Sequence, residues 1–440
     1  MHDPSAAAHA PPPHDPDAGS PVWRRVLFTA VLGNVVEWYD HALYGILAVF
    51  MSRIFFPEGD PYAALIATYV GLIASYAIRP VGGVVMGRLS DLRGHRFTLV
   101  LTIALMTVGT VLIGVLPGYA AIGIAAPILL MLCRLVQGVG ASGEYTVAAN
   151  FILEHGPRRR RQYLAGWSVG STSLGPLLAS IVALALIVGL PEDAFTHWGW
   201  RIPFLLAAPL GLVTLYIRRS VPELPRIQQA LEQAAEEAPP PRPFTEAVRG
   251  HWRQMCQVIL LGAGQRVGTF CIQTYFVVAL INSGFGADRA LLASILTYLI
   301  GPPAAIWGGL LADRHGGRTV LLVGYAAFVL FTVPTFTALG GGSVVVATAA
   351  VVGFTFINNF VGAPLTHAYV LTFPPEVRGT AAALNFNVGT TLIGSTAPLM
   401  ATWLHMRTGT DVSFGWYMTG ACLVSLLVAA FAFPRPAADA

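Results

Sequence analysis

The stretch Gly87-Arg-Leu-Ser-Asp91-Leu-Arg-Gly94-His-Arg96 returns, altered, as Gly309-Leu-Leu-Ala-Asp313-Arg-His-Gly316-Gly-Arg318. Each copy follows one apolar block and precedes another. Glycine permits a tight turn and close helix approach, aspartate accepts hydrogen bonds at a helix end, and arginine stays on the cytoplasmic side of a bilayer. One copy is a weak signal. Two copies, each between the second and third apolar blocks of a set of six, point to internal duplication.

Outward from the first loop, apolar blocks predict spans near 26–51, 63–87, 97–116, 121–152, 163–189 and 200–217. A polar stretch over 218–252, with Glu232, Glu236, Glu237 and the run Pro239 to Pro241, reads as a partly helical cytoplasmic linker. Six further spans follow near 253–281, 289–311, 319–339, 343–372, 380–404 and 412–433. The expected fold is an all-α polytopic membrane protein with twelve transmembrane helices in two pseudo-symmetric six-helix bundles, residues 23–217 and 253–433. Residues 1–22 and 434–440 are expected to be cytoplasmic tails. The first is rich in Pro, Ala, Asp and His and buries too little apolar surface to order itself.

Composition agrees. With 55% hydrophobic and 11% charged residues, the chain holds less than half the charge of an ordinary soluble protein. Each block approaches the roughly 20 residues needed to cross a hydrocarbon core. The formal charge of +4 comes from arginines dispersed between blocks rather than gathered on one face, which argues against a nucleic-acid partner. With the N-terminus inside, Arg24, Arg25, Arg158 to Arg161, Arg218, Arg219 and most other arginines lie on the cytoplasmic side. Arg53, Arg201, Arg289 and Arg407 lie opposite. Both termini are therefore expected inside, in a bacterial-type inner membrane. Cys133, Cys256, Cys271 and Cys422 lack metal spacing, and no Gly-rich phosphate loop ending in Lys is present, so no metal, cofactor or enzymatic chemistry is expected.

The two loops resemble the signature loop of the major facilitator superfamily, with Leu92 and Gly317 where a basic residue is usual. More closely, the chain resembles the metabolite:H+ symporter family, whose members carry proline and betaine, α-ketoglutarate, citrate or shikimate. The matching residues are Gly33-Asn-Val-Val-Glu-Trp-Tyr-Asp-His-Ala-Leu-Tyr-Gly45, Arg79-Pro-Val-Gly-Gly83, Arg134-Leu-Val-Gln-Gly138, Gly143-Glu-Tyr145, Trp198-Gly-Trp-Arg-Ile-Pro-Phe204 and Phe373-Pro-Pro-Glu-Val-Arg378. His41 and Ser142 depart from the family pattern. The resemblance implies proton-coupled uptake of a small carboxylate or zwitterionic metabolite by alternating access, in a single chain. The alternative is a proton antiporter exporting a drug or metabolite. Gly166, Gly170, Gly175 and Pro176 partly resemble the antiporter Gly-Pro signature, interrupted by Ser171 and Ala179.

An ionisable group inside the membrane is costly unless paired or hydrated, so each is a functional candidate. There are six: Glu37 and Asp40 in the first span, Arg79 in the second, Arg134 and Glu144 in the fourth, and Arg266 in the seventh. Counting about 1.5 Å per residue puts Asp40 and Arg134 both roughly 18–20 Å from the periplasmic end, which permits an ion pair. Asp40 then reads as the proton-coupling carboxylate, releasing Arg134 when protonated, or as a permanent tie between two helices. Glu37 shares its face as a second relay or a hydrogen-bonded neighbour. Glu144, about 15 Å nearer the cytoplasm, reads as an inner proton site or a partner for Arg79. Arg266 has no acid within any span of its own half, and a substrate carboxylate would satisfy it. The alternative is that it reaches Glu37 or Asp40. Gln137, Gln265, Gln273, Asn358, Asn359, Asn385 and Asn387 lie at similar depth, with Tyr39, Tyr44, Trp38 and Trp167 as candidate walls. Any single amide in such a place is more often glue between helices than a ligand contact.

Overall fold

The structure is a computed structural model that describes residues 34–35, 37–57, 59–93, 95–142, 160–220, 244–374 and 377–434. The tail 1–22, most of the linker, Gly94 and Glu144 fall outside these residues, as do the side chains of Gly87, Asp91 and Arg96. The helices among the described residues group into twelve spans in two bundles. In the first half, α1 covers 37–46 and Ala48–Phe55, α2 Pro61–Ala77 and Arg79–Arg93, α3 His95–Val115 and α4 Ala125–Gly140. It closes with α5 (Arg161–Ser171 and Leu174–Gly189) and α6 (Arg201–Leu205 and Ala207–Ser220). In the second, α7 runs from Phe244 to Asn282, α8 over Ala287–His315, α9 over Gly317–Leu339, and α10 over Val344–Phe360 and Gly362–Leu371. The last two are α11 (Arg378–Gly389, then a wider turn Thr390–Gly394, then Ala397–Thr408) and α12 (Val412–Phe431). No strand occurs among the described residues.

The first helix of the second half begins at Phe244, inside the stretch read as linker, because Phe244–Leu261 continues without interruption into the apolar span. The bundle is inverted relative to a water-soluble protein. Leu212, Tyr216, Leu330, Val345 and Phe431 stand exposed on the outside, while Asp40, Arg79, Arg134 and Arg266 are buried within. Such a surface suits lipid, where backbone groups must be satisfied inside each helix and charges face the interior.

Small residues bring the halves together. Helix α5 lies against α8 so closely that a Cβ on Gly309 would stand 2.3 Å from the Gln162 carbonyl oxygen, and one on Gly170 would stand 2.9 Å from Pro302 Cα. At this contact the Asp313 carboxylate accepts hydrogen bonds from the backbone N–H of Gln162 (3.1 Å) and Tyr163 (2.9 Å). The aspartate of the second loop thus caps the first turn of a helix in the other half, where an acceptor and a negative charge are both favoured. Gly316 takes φ 85°, a conformation suited to glycine, and lets the chain turn directly from α8 into α9. Arg318 donates to the Ala429 (3.0 Å) and Ala430 carbonyls at the end of α12, a cation on a helix C-terminus.

At the opposite end, the Tyr62 ring of α2 lies 5.8 Å from the His405 ring of α11, the two planes tilted by 32°. His405 and the Tyr275 hydroxyl both hold Asp411 at the start of α12. Contacts between the halves at both ends leave a space between them.

Candidate functional site

That space is a cavity of about 70 Å3, several times the roughly 10–15 Å3 that one water requires. Both halves line it. Helix α1 contributes Trp38, the break in α5 contributes Thr172 and Ser173, and α7 contributes Gln265, Arg266, Thr269 and Gln273. Tyr298 of α8, Asn358, Asn359 and Tyr369 of α10, and Phe386 of α11 complete the wall. The mixture, mostly apolar with a few fixed polar groups, is what small-ligand sites share.

Arg266 owes its position to interruptions in two helices. Helix α7 bends by 47° around Gly262, and a Cβ there would come 2.6 Å from Arg266 Nη1. A Cβ on Gly389 of α11 would likewise stand 2.6 Å from Arg266 Cζ. The two glycines form a cradle only a bare backbone can make. Wider helical turns follow at Cys271–Tyr275 and Thr390–Gly394, a feature frequent at functional sites. Within the cradle Arg266 is 3% exposed. Its Nη1 donates to the Ile259 carbonyl at 3.0 Å, and its guanidinium lies 4.7 Å from the centre of the Tyr369 ring. Nε and Nη2 have no protein partner. The contacts of Arg266 among the described residues, with Ile259 and Tyr369, lie in its own half rather than with Glu37 or Asp40.

The charges of the first half lie apart from this cavity, and the expected Asp40–Arg134 pair is not a direct one. The Arg134 guanidinium sits over the Tyr44 ring at 4.1 Å and donates to Gln137 Oε1 at 3.0 Å. Gln137 Nε2 donates to Thr110 Oγ1 at 2.6 Å, and Thr110 neighbours Asp40. Equal depth placed the two residues at one level, but Tyr44 and Gln137 occupy the arginine, so acid and base are linked through side chains of α3 and α4. Asp40 Oδ1, Arg134 Nε and Arg134 Nη2 are buried without a protein partner. Beside them, His41 Nε2 meets Arg79 Nη2, and His41 Nδ1 lies 2.8 Å from the Glu37 carbonyl oxygen. Arginine can only donate, so in this contact His41 Nε2 is on the accepting side. Arg79 lies over Tyr76 at 4.0 Å, and Glu37 is buried close by.

Of the residues expected at the substrate, Trp38, Gln265, Arg266, Gln273, Asn358 and Asn359 line the cavity. Tyr39, Tyr44, Gln137, Asn385 and Asn387 do not. The Tyr39 hydroxyl donates to the Pro203 carbonyl at 2.7 Å and ties α1 to α6. Tyr44 donates to the Thr68 carbonyl at 3.0 Å and carries Arg134 on its ring. Asn385 holds the Met255 carbonyl at 2.8 Å, and Asn387 reaches the Ser142 carbonyl across the halves at 3.5 Å. Trp167 is 37% exposed and packs edge-on against Tyr163. In each case depth matched but the face of the helix did not. Sequence reasoning missed Thr269, Tyr298 and Tyr369. Thr269 alone carried a signal, being three residues beyond Arg266 and so on the same face.

Comparison with known proteins agrees with this architecture. A Salmonella typhimurium proline/betaine transporter is 34% identical over 394 residues, covering 87% of this chain and 77% of its own. A glycine betaine/proline/ectoine/pipecolic acid transporter of Dickeya dadantii is 31% identical over 418 residues, covering 93% and 83%. Among solved structures, that of a D-xylose-proton symporter superposes with a TM-score of 0.74 at 18% identity, over 95% of this chain and 99% of that one. The Major Facilitator Superfamily profile matches residues 30–398. The chain belongs to the Major Facilitator Superfamily, a multi-pass membrane transporter and not an enzyme.

Proposed function

We propose that the protein is a proton-coupled symporter that takes up a small carboxylate or zwitterionic metabolite by alternating access of its two halves. The observation that carries this reading is Arg266: a buried guanidinium on the central cavity whose Nε and Nη2 lack protein partners. A carboxylate meets such a fork with two parallel hydrogen bonds. The lining also includes the aromatic side chains of Trp38, Tyr298 and Phe386, a composition that suits the cationic end of a zwitterion. Relatives named for proline and betaine favour a ligand with both charges in one small molecule.

The proton belongs to the first half in this reading. Asp40 is its carrier, Arg134 the counter-charge reached through Gln137 and Thr110, and Glu37 a second acid on the same helix. Glu144, outside the described residues, remains a candidate inner site. The protein acts as a monomer in a bacterial-type inner membrane, with both termini cytoplasmic, as the arginine asymmetry supports. The partial antiporter signature has a packing explanation: Gly166 and Gly170 meet α8, and Gly175 meets α1 at Tyr39.

Purified protein in proteoliposomes tests the proposal. An imposed inward proton gradient should drive accumulation of a betaine or imino acid above equilibrium, and a protonophore should abolish it. Accumulation driven only by an outward proton gradient would replace symport by antiport.

A further inference from the structure

The two halves contribute unequally to the cavity. Gln265, Arg266, Gln273 and Asn359 are among the polar groups of the second half, whereas the described residues of the first half supply Trp38, Val169, Thr172 and Ser173. A ligand held by the second half alone would interact equally with the open and the closed arrangement, and a ligand shifts an equilibrium only by its differential affinity for the two states. Alternating access therefore needs a contact from the first half. The polar side chains there differ in what they offer. Trp38 Nε1 is enclosed. Thr172 Oγ1 gives its proton to the Val169 carbonyl at 2.7 Å and otherwise only accepts. No hydrogen bond joins Ser173 Oγ to a described residue, and unlike Trp38 Nε1 the atom is not enclosed. Ser173 is 7% exposed and lines the cavity, so its hydroxyl is open to a ligand as donor and as acceptor.

The fold builds this position from two helices. Helix α5 breaks between Ser171 and Leu174, where the N–H groups of Thr172 and Ser173 reach back three residues to the Val169 and Gly170 carbonyls, at 3.1 Å each. Discontinuous helices of this kind place uncommitted polar groups at transporter binding sites. Helix α8 meets the break with bare backbone: a Cβ on Gly301 would stand 2.4 Å from Ser173 Oγ and 3.4 Å from Asn359 Nδ2. The hydroxyl thus lies on the seam, beside an amide of the other half. Resting on the reading of Arg266 as the carboxylate site, we propose that Ser173 is a further substrate-contacting residue, whose hydroxyl makes the first half's hydrogen bond to the ligand that Arg266 holds from the second half. The bond forms when the halves close on the ligand, so it contributes to affinity and to the turnover of the loaded carrier.

The test measures calorimetric binding and proteoliposome exchange of L-proline, glycine betaine and succinate with wild type, Ser173→Ala, Gly301→Ala and Arg266→Gln. Ser173→Ala should weaken binding about three- to tenfold, the effect of one hydrogen bond, and lower the maximal exchange rate severalfold. The melting temperature of the ligand-free variant should match wild type, because the hydroxyl bonds nothing in the empty protein. Gly301→Ala, whose methyl displaces the same hydroxyl, should act in the same direction and carries the test if Ser173→Ala does not fold. A loss shared by glycine betaine, which has no N–H, assigns the bond to the carboxylate, and a loss confined to L-proline assigns it to the ammonium group. Wild-type affinity in Ser173→Ala overturns the inference, as does a lower melting temperature with affinity unchanged. If Arg266→Gln weakens binding and Ser173→Ala does not, only the role of Ser173 falls. If none of the three compounds binds wild type, the carboxylate reading of Arg266 falls and this inference with it.

Discussion

The two halves share a topology and a duplicated loop, yet they treat charge in opposite ways. The first half buries Glu37, Asp40, Arg79 and Arg134, and spreads the last of these over Tyr44, Gln137 and Thr110. The second half buries Arg266 as its one membrane-level charge among the described residues, and leaves two of its nitrogens without protein partners. Duplication supplies two bundles of similar shape, and differentiation of their interiors then divides the work. In the function proposed above, one interior holds a charge that a proton neutralises and the other a charge that a ligand neutralises. Desolvation makes both expensive when empty, which is the condition for coupling them through a shared conformational change.

The sharpest way to break this comparison is Asp40→Asn. Gradient-driven accumulation should fall to background while substrate exchange persists, because the cavity is untouched. Accumulation at the wild-type level in proteoliposomes would remove Asp40 from the coupling step. Next comes the complementary change in the other half. Arg266→Gln should weaken binding of an acid by about ten- to hundredfold, the loss of one charge-assisted interaction at a dehydrated site. Its neutral amide analogue should lose much less, and Arg266→Lys should fall between wild type and Gln because it keeps the charge without the fork. Equal weakening of acid and amide would make Arg266 a structural tie.

Smaller effects probe the surface on which the halves meet. Gly309→Ala drives a methyl toward the Gln162 carbonyl 2.3 Å away, an overpacking expected to cost about 1–3 kcal/mol in the arrangement described. Maximal transport rate should drop severalfold with little change in substrate affinity, and an unchanged rate would show that α5 and α8 separate without resistance. The smallest change expected is for Tyr39→Phe. It removes one hydrogen bond to Pro203 inside the first half, so thermal unfolding should report a loss of about 0.5–1.5 kcal/mol. Substrate affinity should stay the same, and a large affinity change would restore Tyr39 to the substrate site.

Much of the fold was legible because its signals are local. Apolar blocks of membrane-crossing length, the arginine-rich loops and the repeated glycine and aspartate positions are each read within a few tens of residues. Asp313 shows how far that reading extends. Its motif announced an acceptor at a helix end, but the helix it caps belongs to the other half, 150 residues away in sequence. Arg266 was found because a lone charge in an apolar span needs a partner wherever it points. Its glycine cradle at Gly262 and Gly389 was not found, because one of those glycines comes from a helix more than a hundred residues downstream.

Sequence by itself determined how deep each polar residue lies, since depth follows from the rise of a helix and the ends of its apolar block. It also determined that such residues must be satisfied by protein, ligand or proton. Tertiary structure alone decided which of these applies. Rotation of each helix about its axis and the breaks at Gly262, Thr172–Ser173 and Val361 select the face turned to the cavity. Those rotations depend on side chains of other helices packing at van der Waals distance. Asn358 and Asn385 lie in neighbouring spans with the same side chain and similar depth. One lines the cavity and donates to Thr269 there, and the other ties its helix to the Met255 carbonyl, because only the packed bundle sets which group each amide can reach.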